Sequence, residues 1–263
     1  MDCLKYLIDN LAQRKDASVF VQSLLDVNNT GDSPFLAAAS KGNTEVCKAL
    51  LASIDNFFNS EERDNSNNQM KDDIKRKLLS TANNGGDTPL KVAVAAGHDT
   101  ELLTLLLETD VLLKQQDAST TDEMCINRKN NSGLSPLIVA SERNLPSVVE
   151  LLMKYDADIN IRDSKGRNAL AVASFCGCED VVKFLLSCMK ESASVASLLN
   201  GKDDLGCTAL WLASRTGNLS MVKLLIEAGA DETIGDNEGL IPKEVASKYK
   251  KEKLEEYFLE RSK

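Results

Sequence analysis

Few side chains of this 263-residue chain have the types and spacing that acid–base or metal chemistry requires. The chain contains a single histidine, His98, which directly follows Gly97 in the segment AAGHDTELL. Histidine-based triads and zinc clusters need further partners, so an isolated histidine favours a structural role. The phosphate-binding glycine patterns GxGxxG and GxxxxGK(S/T) are both missing from the sequence. The sequence therefore predicts no catalytic, cofactor-binding or metal-binding residues.

Cys176 and Cys178 flank Gly177 and form the one cysteine pair that a metal or redox site could use. No second cysteine pair lies at zinc-finger spacing, so we favour ordinary thiols near the surface over a metal site. The seven cysteines of the chain are an odd number without regular spacing. This usage is typical of reduced thiols in the cytosol or nucleus.

A six-residue phrase that begins with glycine returns six times along the chain. An alanine stands seven residues after every phrase glycine, and glycine or asparagine stands eleven residues after five of the six. Repetition of this kind is the signature of a protein built from stacked units. The phrases are GDSPFL at Gly31, GDTPLK at Gly86, GLSPLI at Gly133, GRNALA at Gly166, GCTALW at Gly206 and, more faintly, GLIPKE at Gly239.

Each repeat predicts a tight turn, a short helix, a reversal and a second helix. A serine or threonine hydroxyl caps the first helix, and proline fits its first turn. The small alanine lets the next repeat approach closely, and the glycine at plus eleven supplies the left-handed residue that ends the helix. Apolar residues at helical spacing then mark the second helix, as in Val181, Val182, Leu185 and Leu186.

This pattern resembles the ankyrin-repeat family, most clearly in Asn131–Asp163 and in Leu205–Asp236. The resemblance covers residues 29–245 and implies an all-α solenoid of stacked helix-turn-helix units with short β-turn fingers and helical caps. The family also commonly has histidine where His98 stands. It usually has another histidine five residues after the phrase glycine, and its replacement predicts slightly weaker ordering of the turns. The residues at that place here are Leu36, Lys91, Ile138, Ala171 and Trp211.

The domain organisation follows from the phrase positions. We expect an N-terminal helical cap at 1–28, a repeat array at 29–245 and a C-terminal capping helix at 246–263. The units begin near residues 29, 84, 131, 164, 204 and 237, and insertions near 55–77 and 108–123 make the spacing uneven. We expect the two insertions to be mobile surface loops that folding does not need, with a short helix at Asp72–Leu79. The alternative is an added contact or a regulated segment.

The two ends of the chain differ from the middle. Helices are expected at Cys3–Ala12, Ala17–Asp26, Lys243–Lys248 and Lys251–Glu260, the last with Leu254, Tyr257 and Phe258 facing inward. The lysine run Lys248–Lys253 fits a solvated helix face or, alternatively, a nuclear signal. Charges interrupt the first residues, so they do not read as a signal peptide, and no apolar run reaches membrane-helix length. We therefore expect a cytoplasmic protein, with the nucleus as the alternative location.

The resemblance implies that a partner protein touches the turn tips and the exposed side of the first helices, on the concave face. In units three to five these places are rich in lysine and arginine, although the chain has a net charge of −9. The sequence thus predicts a basic groove for an acidic peptide or protein surface. The alternative is that solvated turns favour lysine and arginine in any case. The expected partner-binding residues are Lys129, Arg143, Arg162, Lys165, Arg167, Phe175, Lys202, Leu205, Trp211 and Arg215.

Two classes of function remain after these considerations. The favoured one is a non-catalytic interaction module, monomeric on its own, that acts as a scaffold, adaptor, inhibitor or assembly chaperone. The alternative is an enzyme or enzyme subunit whose chemistry lies in the insertions. The acidic net charge argues against nucleic-acid binding, and we expect no membrane association.

Overall fold

A computed structural model describes residues 17–59, 65–116, 125–189 and 195–261, and every regular element in these ranges is an α-helix. The chain divides into two compact units, residues 1–131 and 132–263. None of the described helices is long and apolar enough to cross a membrane. The helices of the first unit are α1 (Ala17–Leu25), α2 (Pro34–Ser40), α3 (Thr44–Asn59), α4 (Asn65–Ser80), α5 (Pro89–Ala96) and α6 (Thr100–Gln116). Those of the second unit are α7 (Pro136–Glu142), α8 (Pro146–Lys154), α9 (Ala169–Cys176), α10 (Glu179–Met189), α11 (Val195–Leu199), α12 (Ala209–Thr216), α13 (Leu219–Glu227), α14 (Pro242–Lys248) and α15 (Glu252–Arg261).

The first helix of most of the six repeats begins at a side-chain cap inside the repeated phrase. The side-chain oxygen accepts a hydrogen bond from the backbone N–H three residues on, which satisfies a donor that the helix itself cannot pair. In the sixth repeat the equivalent residue, Ile241, has no side-chain acceptor. There the Glu244 carboxylate accepts a hydrogen bond from the Ile241 backbone N–H at 3.0 Å. The capping residues of the other units are Ser33, Thr88, Ser135, Asn168 and Thr208.

Residues in the left-handed conformation end the first helices, as the plus-eleven position predicts. Gly97, Gly177 and Gly217 have positive φ, and so does Asn144, with φ of 55°. The sixth repeat has Lys250 eleven residues after its phrase glycine, which breaks the sequence pattern. Its backbone nevertheless adopts φ of 53°. The reversal is therefore a property of the stacked repeat even where the residue type does not favour it.

The phrase alanines at plus seven lie in the packed interior, as expected. Because their side chains are a single methyl group, neighbouring first helices can stack closely. Within the first unit α2 packs on α5, and within the second α7 packs on α9, α9 on α12 and α12 on α14. The buried alanines are Ala38, Ala93, Ala140, Ala173, Ala213 and Ala246.

The expectation that the first insertion is a mobile loop is wrong. Helix α3 continues to Asn59, and α4 fills most of the remaining segment, well beyond the short helix expected at Asp72–Leu79. Phe57 and Phe58 are buried, and the Phe57 ring stacks on Phe20 with centroids 4.5 Å apart. The polar composition of the segment concealed these apolar residues, which continue the helical spacing of α3. Residues 60–64 lie outside the described ranges.

The second insertion is also partly helical, against expectation. Helix α6 runs on to Gln116, and Leu113 in its added part is buried. Residues 117–124 are not described. The ends of the chain agree better with the sequence. Helix α1 is the second expected cap helix, whereas Cys3–Ala12 is outside the described residues. Helices α14 and α15 close the second unit with Leu254 and Phe258 buried and Tyr257 partly exposed.

The close stacking of the first helices can be tested with two alanines of α5. Ala93 is fully buried and Ala96 is exposed. We expect Ala93→Leu to overpack the interior and lower the free energy of unfolding by about 1–3 kcal/mol. Ala96→Leu, the same change one turn away, should alter it by less than about 0.5 kcal/mol. Chemical denaturation followed by circular dichroism measures both values, and equal effects would contradict this packing.

The packing of the first insertion can be tested at Phe57. We expect Phe57→Ala to lower the free energy of unfolding by about 3–5 kcal/mol, because it removes a stacked ring from the interior. The neighbouring exposed residue provides the control, since Asn56→Ala should change stability by less than about 0.5 kcal/mol. A Phe57→Ala protein with wild-type stability would restore the loop interpretation of this segment.

Candidate partner-binding surface

Successive turn tips of the second unit are joined by backbone hydrogen bonds. The N–H of Ser164 donates to the carbonyl of Ser132 at 3.3 Å, and the N–H of Asp204 donates to Lys165 at 3.0 Å. The N–H of Asn237 donates to Leu205 at 3.0 Å. The tips of four consecutive turns are thus held in register at one edge of this unit.

Three of these turns are organised by an aspartate three residues before the phrase glycine, namely Asp163, Asp203 and Asp236. One carboxylate oxygen of Asp163 accepts the N–H groups of Lys165 and Arg167, both at 2.9 Å. Sequence reasoning missed this role, although the signal is present, since all six phrases have asparagine or aspartate at this place. These residues are Asn28, Asn83, Asn130, Asp163, Asp203 and Asp236.

Three of the expected basic contacts are used inside the protein. The Arg167 guanidinium donates from Nε and Nη2 to Oδ2 of the buried Asp163, at 2.8 and 2.7 Å. Arg162 Nη1 donates to the carbonyls of Gly166 and Lys202, and Lys202 Nζ donates to Gly235. These side chains fasten neighbouring turns together, so the sequence count of basic residues overstates the charge that is free for a partner.

Trp211 does not provide the exposed apolar contact that the sequence suggested. Only 5% of its surface is exposed, and its indole Nε1 donates to the carbonyl of Leu240 at 3.1 Å. The position lies five residues after the phrase glycine and faces the next turn. A tryptophan there ties turn to helix, which is the role that the histidine of the resemblance would have had.

Three expected residues, together with Tyr249, are exposed at the ends of successive first helices. Phe175 at the end of α9 is 39% exposed, and Tyr249 after α14 is 40% exposed. Arg215 lies between them on α12, with its guanidinium 5.4 Å from the Tyr249 ring centroid. Arg143 directly follows α7 and is exposed, ten places after its phrase glycine, whereas Phe175 and Arg215 stand nine places after theirs. We call Arg143, Phe175, Arg215 and Tyr249 the helix-end row.

Sequence reasoning missed Tyr249 because it treated only units three to five, but the residue stands ten places after the sixth phrase glycine, as Arg143 does after the third. At the turn tips Lys165 is exposed, and Leu205 is 66% exposed. Lys129 is exposed as well and belongs to the first unit.

The cysteine pair does not form a metal site in the described structure. Cys176 is exposed, whereas Cys178 is buried and its thiol donates to the carbonyl of Glu142 at 3.7 Å. Burial, more than any nearby charge, raises the pKa of both thiols above the ordinary value, which favours the protonated form over the thiolate that metals bind. Within the described ranges no three metal-ligating side chains come together. His98 Nε2 lies 2.8 Å from the Ser40 carbonyl and links two reversals.

The internal role of Arg167 gives a testable contrast with Lys165. We expect Arg167→Glu to lower the free energy of unfolding by about 3–5 kcal/mol, because it sets a carboxylate against the buried Asp163 and breaks a two-point ion pair. Lys165→Glu, an equal change of charge two residues away on the exposed tip, should cost less than about 0.5 kcal/mol. Thermal and chemical unfolding measure both, and similar stabilities of the two variants would contradict this assignment.

Comparisons with known proteins agree with the repeat pattern and the fold. A family profile described as "Ankyrin repeats (3 copies)" matches residues 1–118 and 109–196, and one described as "Ankyrin repeat" matches residues 205–237. The chain is 32% identical over 175 residues to the ANK repeat-containing protein nipk-1 of Caenorhabditis elegans, covering 61% of this chain and 27% of that protein. It is 32% identical over 147 residues to the NF-kappa-B inhibitor alpha of Homo sapiens, covering 56% of this chain and 43% of that protein.

The matched region is thus less than half the length of either relative. Among solved structures, the chain is similar to EF0377, an ankyrin repeat protein, with a TM-score of 0.64 and 24% identity, covering 89% of this chain and 98% of the other. That likeness supports the all-α ankyrin fold. With the repeated phrase, the buried alanines and the profiles in agreement over most of its length, the chain belongs to the ankyrin-repeat family.

Proposed function

We propose that this protein is a non-catalytic interaction module that holds a partner protein against the helix-end row and the turn tips of residues 132–263. In the ankyrin description these places form the concave face of the repeats. The module acts in the cytoplasm or nucleus, is monomeric without its partner, and serves as a scaffold, adaptor, inhibitor or assembly chaperone. A link to relatives supports one of these roles, since one relative is by its name an inhibitor of NF-kappa-B.

The exposure of aromatic side chains in the helix-end row carries this proposal. Phe175 at the end of α9 and Tyr249 directly after α14 leave about two fifths of their surfaces in solvent, although α9 and α14 both pack on α12. Aromatic residues and arginine are enriched in the energetically important centres of protein interfaces. Exposed aromatic and arginine side chains at the ends of successive first helices are suited to contact a partner protein.

Electrostatics supports an acidic surface on the partner. In the part of the chain that the structure describes, Arg143, Lys165 and Arg215 form no ion pair with a carboxylate. Arg215 instead rests over the rings of Trp211 and Tyr249. Two exposed acids, Glu142 and Asp204, lie at the same levels and moderate the positive charge. An arginine held on an aromatic ring is oriented in advance for a paired hydrogen bond to a carboxylate.

The proposal is tested by affinity capture from the native cell with the full-length protein and a row variant, Phe175→Ser with Tyr249→Ser. We expect the row variant to capture at least about tenfold less of the true partner than the wild type does, because two central aromatic contacts are lost. The control variant, Leu112→Ser with Leu259→Ser, removes two exposed leucines elsewhere, 58% and 55% exposed. Quantitative mass spectrometry gives the captured amounts, and circular dichroism checks that both variants are folded.

A partner identified in this way is then purified, and its dissociation constant is measured with all three proteins. Equal capture by the row and control variants would overturn the proposed surface. Turnover of a substrate by the chain alone, abolished by a change outside the row, would overturn the non-catalytic assignment.

A further inference from the structure

A second surface of the described structure is a basic cleft at the reversals of the last two units, where α12 joins α13 and α14 joins α15. Two adjoining shallow depressions of about 450 Å³ each, open to solvent, lie there and share Gly217 and Lys253 in their walls. One extends to Lys223 on α13, and the other to the two lysines that precede α15. We call this surface the lysine cleft, lined by Lys223, Lys250, Lys251 and Lys253.

Two of the four lysines are held in place by packing. The stem of Lys251 lies across Gly217 so closely that a methyl group on Gly217 would come within 2.7 Å of Lys251 Cδ. The ammonium group of Lys223 lies 5.4 Å from the centroid of the Tyr257 ring. Side chains whose stems are packed lose less conformational freedom when the ammonium group binds a ligand. Lys251 and Lys223 are therefore partly ordered before any ligand arrives.

The positive charge of the cleft is largely uncompensated. Within the described ranges no ion pair involves Lys250, Lys251 or Lys253, whereas Lys248 on the same run lies 3.5 Å from Glu238. Among the described residues Glu252 is the one acid in the lining, and the Glu179 carboxylate accepts from the Ser220 hydroxyl at the border. The acids that stand within one helical turn of the lysines in sequence but line neither depression are Glu227, Glu255 and Glu256. Four lysines without an ion pair in the described ranges, against one carboxylate in the lining, concentrate positive charge at this surface of a chain whose net charge is −9.

We infer that the lysine cleft receives an acidic segment of the partner protein, a run of aspartate and glutamate side chains. This inference rests on the proposed function, because the cleft continues the helix-end row. Arg215 and Tyr249 in the row are followed directly in sequence by Thr216 and Lys250, which line the cleft. A partner chain that leaves the row at this end therefore meets the lysines at once.

The spread of the ammonium groups favours a run of carboxylates over a single phosphate. Lysine is a compact point charge, and phosphate sites usually add the paired donors of arginine or converging backbone N–H groups. The four lysines instead come from α13, from the reversal before α15 and from the first turn of α15, and they line two adjoining depressions. Successive acidic side chains can reach them separately, and each contact speeds the encounter and orients the segment.

The experiment uses the full-length protein and a fluorescently labelled peptide of ten glutamates, with anisotropy as the readout at low salt. We expect the cleft variant, Lys250→Glu with Lys253→Glu, to bind the peptide at least about tenfold more weakly than wild type. The control variant, Lys77→Glu with Lys183→Glu, changes two exposed lysines and has the same net charge, and it should stay within about twofold of wild type. Binding to the wild type should weaken as salt is raised.

Three results would overturn the inference. The first is no binding of the glutamate peptide to the wild type, and the second is equal weakening in the cleft and control variants. The third is tighter binding of a phosphoserine peptide or of oligothymidylate of matched charge, which would assign the cleft to phosphate or to nucleic acid.

The row variant separates this test from that of the proposed function. It should retain the glutamate peptide, since the cleft lysines are unchanged, while losing the native partner. If the cleft variant still binds the peptide as wild type does, the inference about the cleft is wrong and the proposed function is unaffected. Partner capture that survives in the row variant removes the proposed surface whether or not the peptide binds.

Discussion

The close approach of neighbouring first helices, made possible by one buried methyl group in each, is the constraint on which the rest of the structure depends. Because Ala140, Ala173 and Ala213 occupy so little room, α7, α9, α12 and α14 stack side by side within the second unit. That spacing brings adjacent turns near enough for a backbone N–H of one to reach a carbonyl of the next. The small side chain therefore determines both the packing and the hydrogen bonding at the edge.

The same spacing decides which side chains remain for a partner. On each first helix the buried side pairs with the neighbouring helices, and residues nine and ten places after the phrase glycine are left at the helix end. Phe175, Arg215 and Tyr249 form a line because they occupy this place on consecutive helices. The reversal that follows delivers Lys250 and Lys251 beside Gly217. A surface of aromatic and basic character is thus continuous across structures that are distant in sequence.

The sequence predicted the helices, their caps and their ends well, because these depend on local residue types at fixed spacing. Thr88 and Gly97 have the same conformational preferences in almost any context. Whether a long polar side chain bonds inside the protein or stays free in solvent could not be predicted in this way. Arg167 pairs with Asp163 on its own turn, and Arg162 reaches a carbonyl of the next turn, at Lys202. Whether such a side chain bonds internally depends on the distance between neighbouring turns, which only the folded stack defines.

The prediction that the insertions are loops failed for a different physical reason. Their composition is polar, and average polarity gave the prediction of a loop, whereas burial depends on a few apolar residues at helical positions. Phe57 and Phe58 extend the buried stripe of α3, and Ile74 and Leu78 supply one for α4. Trp211 shows the converse error, because a large aromatic residue at a variable place was taken as exposed although the next turn covers it.

Helix α4 also changes how the first unit should lose its structure. In a simple stack each repeat contacts only its neighbours, so the ends fray first and disorder advances one repeat at a time. Helix α4 instead packs on α1, α3, α5 and α6. Opening any one of these helices exposes part of the same inserted helix, so the cost of opening is shared among them. We therefore expect slow amide hydrogen exchange in this unit to occur in one cooperative block. Residues 132–263 have no comparable inserted helix among their described helices, so we expect their exchange rates to form a gradient along the repeats.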